Sequence, residues 1–231
     1  MLVNTPQACF LAYRIWLTFG YLGNATGDFE GIENAPIDKI IDQAVFSTAA
    51  IAHEYYTGYL NDNIVSQTYQ KAIGDGLALG DIFYAEDIEQ TLTVLYGEYP
   101  IAGKSYRDYF RDGEHIEYYR EEGLFLQRFD WGGARKKPLI LSITETDDTV
   151  ICEFISVDPW FFEDHYGYMV SYEEELNPEN FITETANLDV LRFIFHYAAD
   201  DGRPLLHQAE NLGKLKDYPY IYPPNFVQGD V

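Results

Sequence analysis

The sequence predicts an α+β fold, with a helical N-terminal half packed on a mostly antiparallel sheet and short C-terminal helices. Three observations carry this expectation. Apolar residues recur at spacings of three and four up to about Asp112, and beyond His115 the period shortens to two. Two strongly apolar runs, Pro138–Thr144 and Thr149–Val157, then flank the acidic turn Glu145-Thr146-Asp147-Asp148, as in a hairpin of buried strands. No Pro- or Ser-rich linker divides the chain. Residues 1–231 are therefore expected to form one domain, with a helical subdomain 1–112 and a sheet subdomain 113–231 as the alternative.

The first helix is expected from Pro6, where Phe10, Tyr13, Leu17 and Tyr21 form a stripe, Pro6 suits the first turn and Thr5 the cap. The run Leu2–Leu22 lacks a basic leader and is interrupted by Asn4, Gln7, Arg14 and Thr18, so it reads as a core helix rather than a signal or anchor. A second helix starts at Pro36, with Ile37, Ile40, Ile41, Ala44, Val45, Ala49, Ala52, Tyr56 and Tyr59 on one broad face. Asn61-Asp62-Asn63 ends it and caps a shorter helix, Ile64–Ile73. Gly74, Gly76 and Gly80 break the pattern before a helix over Ala85–Tyr96 and a helical turn at Ser105–Arg111.

His115–Arg120 and Leu124–Phe129 read as a hairpin through Glu121-Glu122-Gly123. Trp131-Gly132-Gly133 is a bend, and Arg135-Lys136-Lys137 is the only basic run. In the central hairpin, Ile140, Leu141, Ile151 and Ile155 are expected to be almost fully buried inside the sheet. Tyr166–Tyr172 alternates as a strand, and Asn177-Pro178 caps a short helix. Val190–Tyr197 fits both periods, and Asn187 as a cap with Asp200-Asp201-Gly202 as a stop favours helix. Leu205–Leu212 reads as a short helix after Pro204, and Tyr218–Phe226 as an extended aromatic tail.

With 231 residues, 47% hydrophobic and 16% aromatic, the chain can bury a sizeable core and is not of the disordered class. Fifteen Lys and Arg against 38 Asp and Glu give a net charge of −23, which repels nucleic acid and anionic lipid and speeds encounter with cations. From Glu145 to Asp201 the acids recur with Arg192 as the sole Lys or Arg. The competing reading of that charge is solubility alone. Cys9 and Cys152 both sit among apolar residues, which points to reduced, buried thiols and a cytoplasmic setting.

Recognisable catalytic patterns fail on spacing. Gly97–Ser105 places five residues between its glycines where a phosphate loop needs four, follows a helix, and carries Glu98. His53-Glu54 has Thr57 where a zinc-protease helix needs histidine. Arg192 and His196 share one face and with Asp189 could form a small polar site, but the favoured reading is a cation pair at a helix end or two solvated side chains. No cofactor and no metal are expected.

The remaining candidate is Asp158-Pro159-Trp160-Phe161-Phe162-Glu163-Asp164-His165, aromatic residues set between carboxylates after the central strand. The competing reading is a loop folded back onto the core. An exposed Trp160 or Phe161 ringed by Asp158, Glu163 and Asp164, with Glu173, Glu174 and Glu175 steering, would suit a binding interface. The function expected is therefore an acidic binding protein of immunity or inhibitor type. Its partner would be a basic protein such as a toxin or nuclease, not nucleic acid or membrane. The alternatives are a carboxylate-based hydrolase with an aromatic-lined cleft, or a structural subunit.

Overall fold

The computed structural model describes residues 5–19, 27–51, 64, 67, 70–71, 80–113, 115–128, 136–157 and 185–218. These combine α-helices with antiparallel sheets, as an α+β fold requires. Helix α1 spans Pro6–Phe19, α2 Ile37–Ile51 and α3 Ala85–Tyr96. Thr5 caps α1, its Oγ1 accepting from the backbone N–H of Ala8 at 3.1 Å. The carbonyls at the other end of α1 are met from neighbouring helices. Gln43 Nε2 donates to the Leu17 carbonyl at 2.9 Å, Ser47 Oγ donates to the same oxygen, and the Tyr96 hydroxyl donates to that of Thr18 at 3.2 Å. Ile64, Gln67, Gln70 and Lys71 are helical, as the spacing predicts.

Strands β1 (Phe29–Glu30), β5 (Lys137–Glu145), β6 (Thr149–Val157), β7 (Asp189–Tyr197) and β8 (Pro204–Lys214) form one sheet in the order β1-β8-β7-β6-β5. Strands β2 (Gly80–Tyr84), β3 (Ile116–Tyr119) and β4 (Leu124–Arg128) form a second, ordered β2-β4-β3. Every pairing is antiparallel. Gly123, at φ 65°, turns β3 into β4 where a side chain would be strained, and its carbonyl accepts from the first N–H of α3 at 2.8 Å.

The main core joins the three helices to one face of each sheet, through Ile15, Ile40, Ile88, Leu92, Phe125, Phe154 and Phe193, all at most 1% exposed. A second cluster, on the opposite face of the larger sheet, holds Leu139, Leu141, Ile155, Val157, Val190 and Leu215. That second cluster explains why the central hairpin is apolar on both faces. Ile140, Leu141 and Ile155 are buried as expected, while Ile151 lies further along the outer face, beyond the cluster, and is only half-buried.

Two C-terminal segments differ from the sequence reading. Residues 189–197 are a strand, because Leu191, Phe193 and Phe195 on alternate positions fill the core and the segment pairs on both sides. Residues 204–214 are also a strand rather than the expected helix. Pro204, lacking an N–H, stands at its first position, and Leu206 and Ala209 face the core across a bulge that disguises the period of two. The short strands β1 and β2 were unexpected, and Gly80 opens β2 rather than merely interrupting a helix. β5 is the edge of its sheet as described, so only its partner β6 is interior. The predicted strand Tyr166–Tyr172, the helix after Pro178, the bend at Trp131 and the tail beyond Tyr218 lie outside the described residues.

Candidate functional site

The outer face of the larger sheet passes from the apolar second cluster into a row of polar side chains crossing four strands. Ser142 on β5, Glu153 on β6, Arg192 on β7 and Glu210 on β8 stand side by side in register. Ser142 faces outward because the register shifts between Ile140 and Ser142, placing Leu141 and Ser142 on the same side. Arg192 donates to Glu153 Oε1 through Nε at 3.0 Å and through a terminal nitrogen at 2.7 Å, and its other terminal nitrogen reaches Glu210 Oε2 at 3.0 Å. Glu153 Oε2 accepts from Ser142 Oγ at 2.7 Å and from the Tyr218 hydroxyl. Gln208 Nε2 occupies Glu210 Oε1 at 2.7 Å.

Burial alone would raise the Glu153 pKa, but hydrogen bonds from Tyr218, Ser142 and Arg192 outweigh it and hold the carboxyl below its usual range. Both its oxygens are occupied and it stays ionised, so Glu153 is placed to fix the sheet face rather than move protons. Tyr218 is pushed up to about 12 by burial and by the same carboxylate. Glu145 is also held low, by hydrogen bonds from Tyr197 and Gln7. A general acid at neutral pH needs the opposite displacement.

Beyond the ion row, His196 and His207 stack with ring centroids 4.0 Å apart and planes at 18°. His207 occupies the extra position where β7 and β8 shift register between Ile194 and Phe195, which turns it outward beside His196. Burial, and then the neighbouring His207, lower the His196 pKa against an opposing pull from Asp148. Asp189 pairs with Lys214 at 2.7 Å, so Asp189, Arg192 and His196 are directed to different partners instead of forming one site. Sequence reasoning missed Ser142, His207 and Glu210 as members of this face, since bulges break the alternation by which faces are assigned.

The end of the sheet carries a different arrangement. The β5–β6 turn holds Glu145, Asp147 and Asp148, and the β7–β8 turn holds Asp200 and Asp201, all exposed. Because β5–β6 and β7–β8 are both hairpins and β6 is antiparallel to β7, the two turns lie at the same end. The Tyr197 N–H joins them by donating to the Asp148 carbonyl at 3.1 Å, and the Tyr197 hydroxyl donates to Glu145 Oε1 at 2.5 Å. Arg203 pairs with Asp201 at 3.2 Å and lies 3.9 Å from Asp200.

Asp158, Trp160, Phe161, Glu163, Asp164, Glu173, Glu174 and Glu175 lie outside the described residues, as do His165 and the His53-Glu54 pair. The glycine loop after α3 instead builds a capping box: Ser105 and Asp108 cap a 3-10 turn at Tyr106–Tyr109, with Asp108 accepting from the Ser105 N–H at 2.7 Å. Cys9 is half-buried and Cys152 buried, and neither is in a disulfide. Burial, and then Glu153, push the Cys152 thiol up to about 12. Among the described residues no group of three or more His, Cys, Asp or Glu is arranged to hold a metal ion, and no helix is long and apolar enough to cross a membrane. No protein-family model matches the chain, and no curated protein or solved structure matches it either.

Proposed function

We propose that the chain is an acidic binding protein of immunity or inhibitor type, acting in the cytoplasm, that docks a basic protein such as a toxin or nuclease. The observation that carries this reading is the convergence of Glu145, Asp147, Asp148, Asp200 and Asp201 on two bonded turns at one end of the sheet. Like charges held together cost stability, and they create a local field that draws a cationic surface. Among the described residues, Arg107 pairs with Glu89, Arg111 with Asp38, Arg128 with Glu117, Arg192 with Glu153 and Glu210, and Lys214 with Asp189. At the two turns Arg203 pairs with Asp201 and lies near Asp200, which leaves the carboxylates there in excess.

In this reading residues 1–231 act as one domain, its helical N-terminal part resting on the sheet, and Asp158, Trp160, Phe161, Glu163, Asp164, Glu173, Glu174 and Glu175 are further partner-binding residues. The test is binding to the product of a neighbouring gene where that product is basic. The variant Asp147→Asn/Asp148→Asn/Asp200→Asn/Asp201→Asn should weaken binding by about tenfold or more, chiefly by slowing association. Equal affinity for wild type and variant would remove these turns from the interface.

A further inference from the structure

We infer that the outward face of α1, centred on Phe10 and Tyr13, is the contact surface onto which the acidic turns steer the basic partner. This rests on the basic-partner reading above and adds to it the apolar centre that charge alone cannot supply. Phe10 is 51% and Tyr13 42% exposed, although both belong to a helix whose other side is fully packed. The Tyr13 ring stacks on Trp16 at 5.9 Å with planes at 21°, and Trp16 in turn packs against the core, so Phe10, Tyr13 and the partly buried Trp16 follow one another at helical spacing. One exposed ring is ordinary on a protein surface, but a contiguous row is the kind of patch that marks a contact.

The position of α1 links this row to the acidic end. Gln7 Nε2 donates to Glu145 Oε2 at 2.6 Å, where β5 ends, and Arg14 donates to the Pro204 carbonyl at 2.6 Å, where β8 begins. The helix therefore crosses the same end of the sheet that carries both turns. Gln7 and Arg14 lie along the border of the aromatic row nearest those turns, next to Phe10 around the helix. Glu145 and Asp201 are thus set beside an exposed aromatic surface.

An apolar centre with a rim in which carboxylates outnumber the Arg203 cation paired to Asp201 combines the two requirements of fast and lasting association: the rim sets the encounter rate, the buried aromatics the dissociation rate. The complementary surface is an apolar cleft edged with Lys and Arg, whose cations can also sit over the Phe10 and Tyr13 rings. A second copy of this chain is a poor occupant, because each copy carries a net charge of −23.

Cys9 provides the readout. It is one residue from Phe10 and one helical turn from Tyr13, and it is half-buried, whereas Cys152 is buried. Alkylation of the folded protein therefore reports on Cys9. The probes are an amphipathic helical peptide of Leu and Lys, which offers both cations and an apolar face, and poly-lysine of equal charge, which offers cations alone. The expected result is that the amphipathic peptide binds about tenfold or more tightly than poly-lysine and slows Cys9 alkylation to a similar degree. The Phe10→Ser/Tyr13→Ser variant should lose that excess and keep its poly-lysine affinity, with a cooperative melting curve that is only modestly lowered because each ring is about half exposed.

If the two probes bind wild type alike and Cys9 stays equally reactive, the α1 face is not the contact surface, while the basic-partner reading survives. If neither probe binds, that reading fails first. If Cys9 becomes protected with rising concentration of the protein alone, the face is a self-interface and the inference is overturned. The Cys9 measurement on wild type holds whether or not the variant folds.

Discussion

Glu153 shows how a single residue can carry charge without chemistry. Its carboxylate accepts from Arg192, Ser142 and Tyr218, and these hydrogen bonds hold it ionised below its usual range in spite of burial. A folded-state pKa below the unfolded value contributes stability above the unfolded pKa and loses it as pH falls through the folded one. Glu153→Gln should therefore cost about 1–3 kcal/mol near neutrality, since it leaves Arg192 and Tyr218 with a weaker acceptor. The difference between the two proteins in denaturant melts should shrink below about pH 4. A gap that stays constant into acid would mean that the ion row adds nothing that titrates.

His196 acts in the same sense through a different group. Burial and the stacked His207 favour its neutral form. The folded pKa lies below the unfolded one, so protonation favours the unfolded chain. Stability should fall as pH drops below about 6.5, and His196→Gln should flatten that part of the profile. A slope unchanged by the substitution would assign the titration elsewhere. Neither effect is legible in the sequence. Arg192 and His196 are visible as neighbours on one face, but their partners Glu210 and His207 come from β8, a segment whose residues read locally as helix.

Among the elements, legibility follows the clarity of the period and its punctuation. Helix α3 runs Ala85–Tyr96, as its Ile88, Leu92 and Leu95 spacing predicts, and Thr5 caps α1. The central hairpin was equally plain, because two apolar strands meet at a polar turn. β7 was misread because Leu188, Leu191, Ile194 and Ala198 also satisfy a helical spacing, and only pairing with its neighbours decides between the two periods; β8 was misread because a bulge disguises its period of two. Bulges at Leu141 and His207 hid which residues share the outer face.

The second hydrophobic cluster makes a clean contrast along β6. Ile155 is fully buried in it and Ile151 is only half-buried beyond it. Ile155→Ala should cost about 2–5 kcal/mol and Ile151→Ala about 1 kcal/mol in denaturant melts. Equal losses would contradict the boundary drawn between the apolar end of the outer face and its polar row.

At the scale of the whole molecule, the acidic turns are the tips of the same hairpins whose strands help to fill the core. Helices and both sheets share the main cluster, while the acidic turns gather where two hairpins end and α1 crosses them. The excess of acid was visible in composition, and its steering role follows from general electrostatics. Its location was not visible, because Glu145 and Asp201 are 56 residues apart in sequence and only strand order brings their turns to one end of the sheet. The sequence pointed instead to the segment after the central hairpin, where aromatics and acids are adjacent in the chain itself.

Docking through the acidic turns is tested most directly by the association rate constant with a basic protein partner, measured against ionic strength. Charges more than a Debye length apart are screened, so steering fades as salt rises from roughly 20 to 500 mM. Steering by these carboxylates predicts a fall in association rate of about tenfold or more across that range, flattened in Asp147→Asn/Asp148→Asn/Asp200→Asn/Asp201→Asn, with dissociation little changed. A rate independent of salt, or a salt dependence identical in the neutralised variant, would show that these carboxylates only keep the protein in solution.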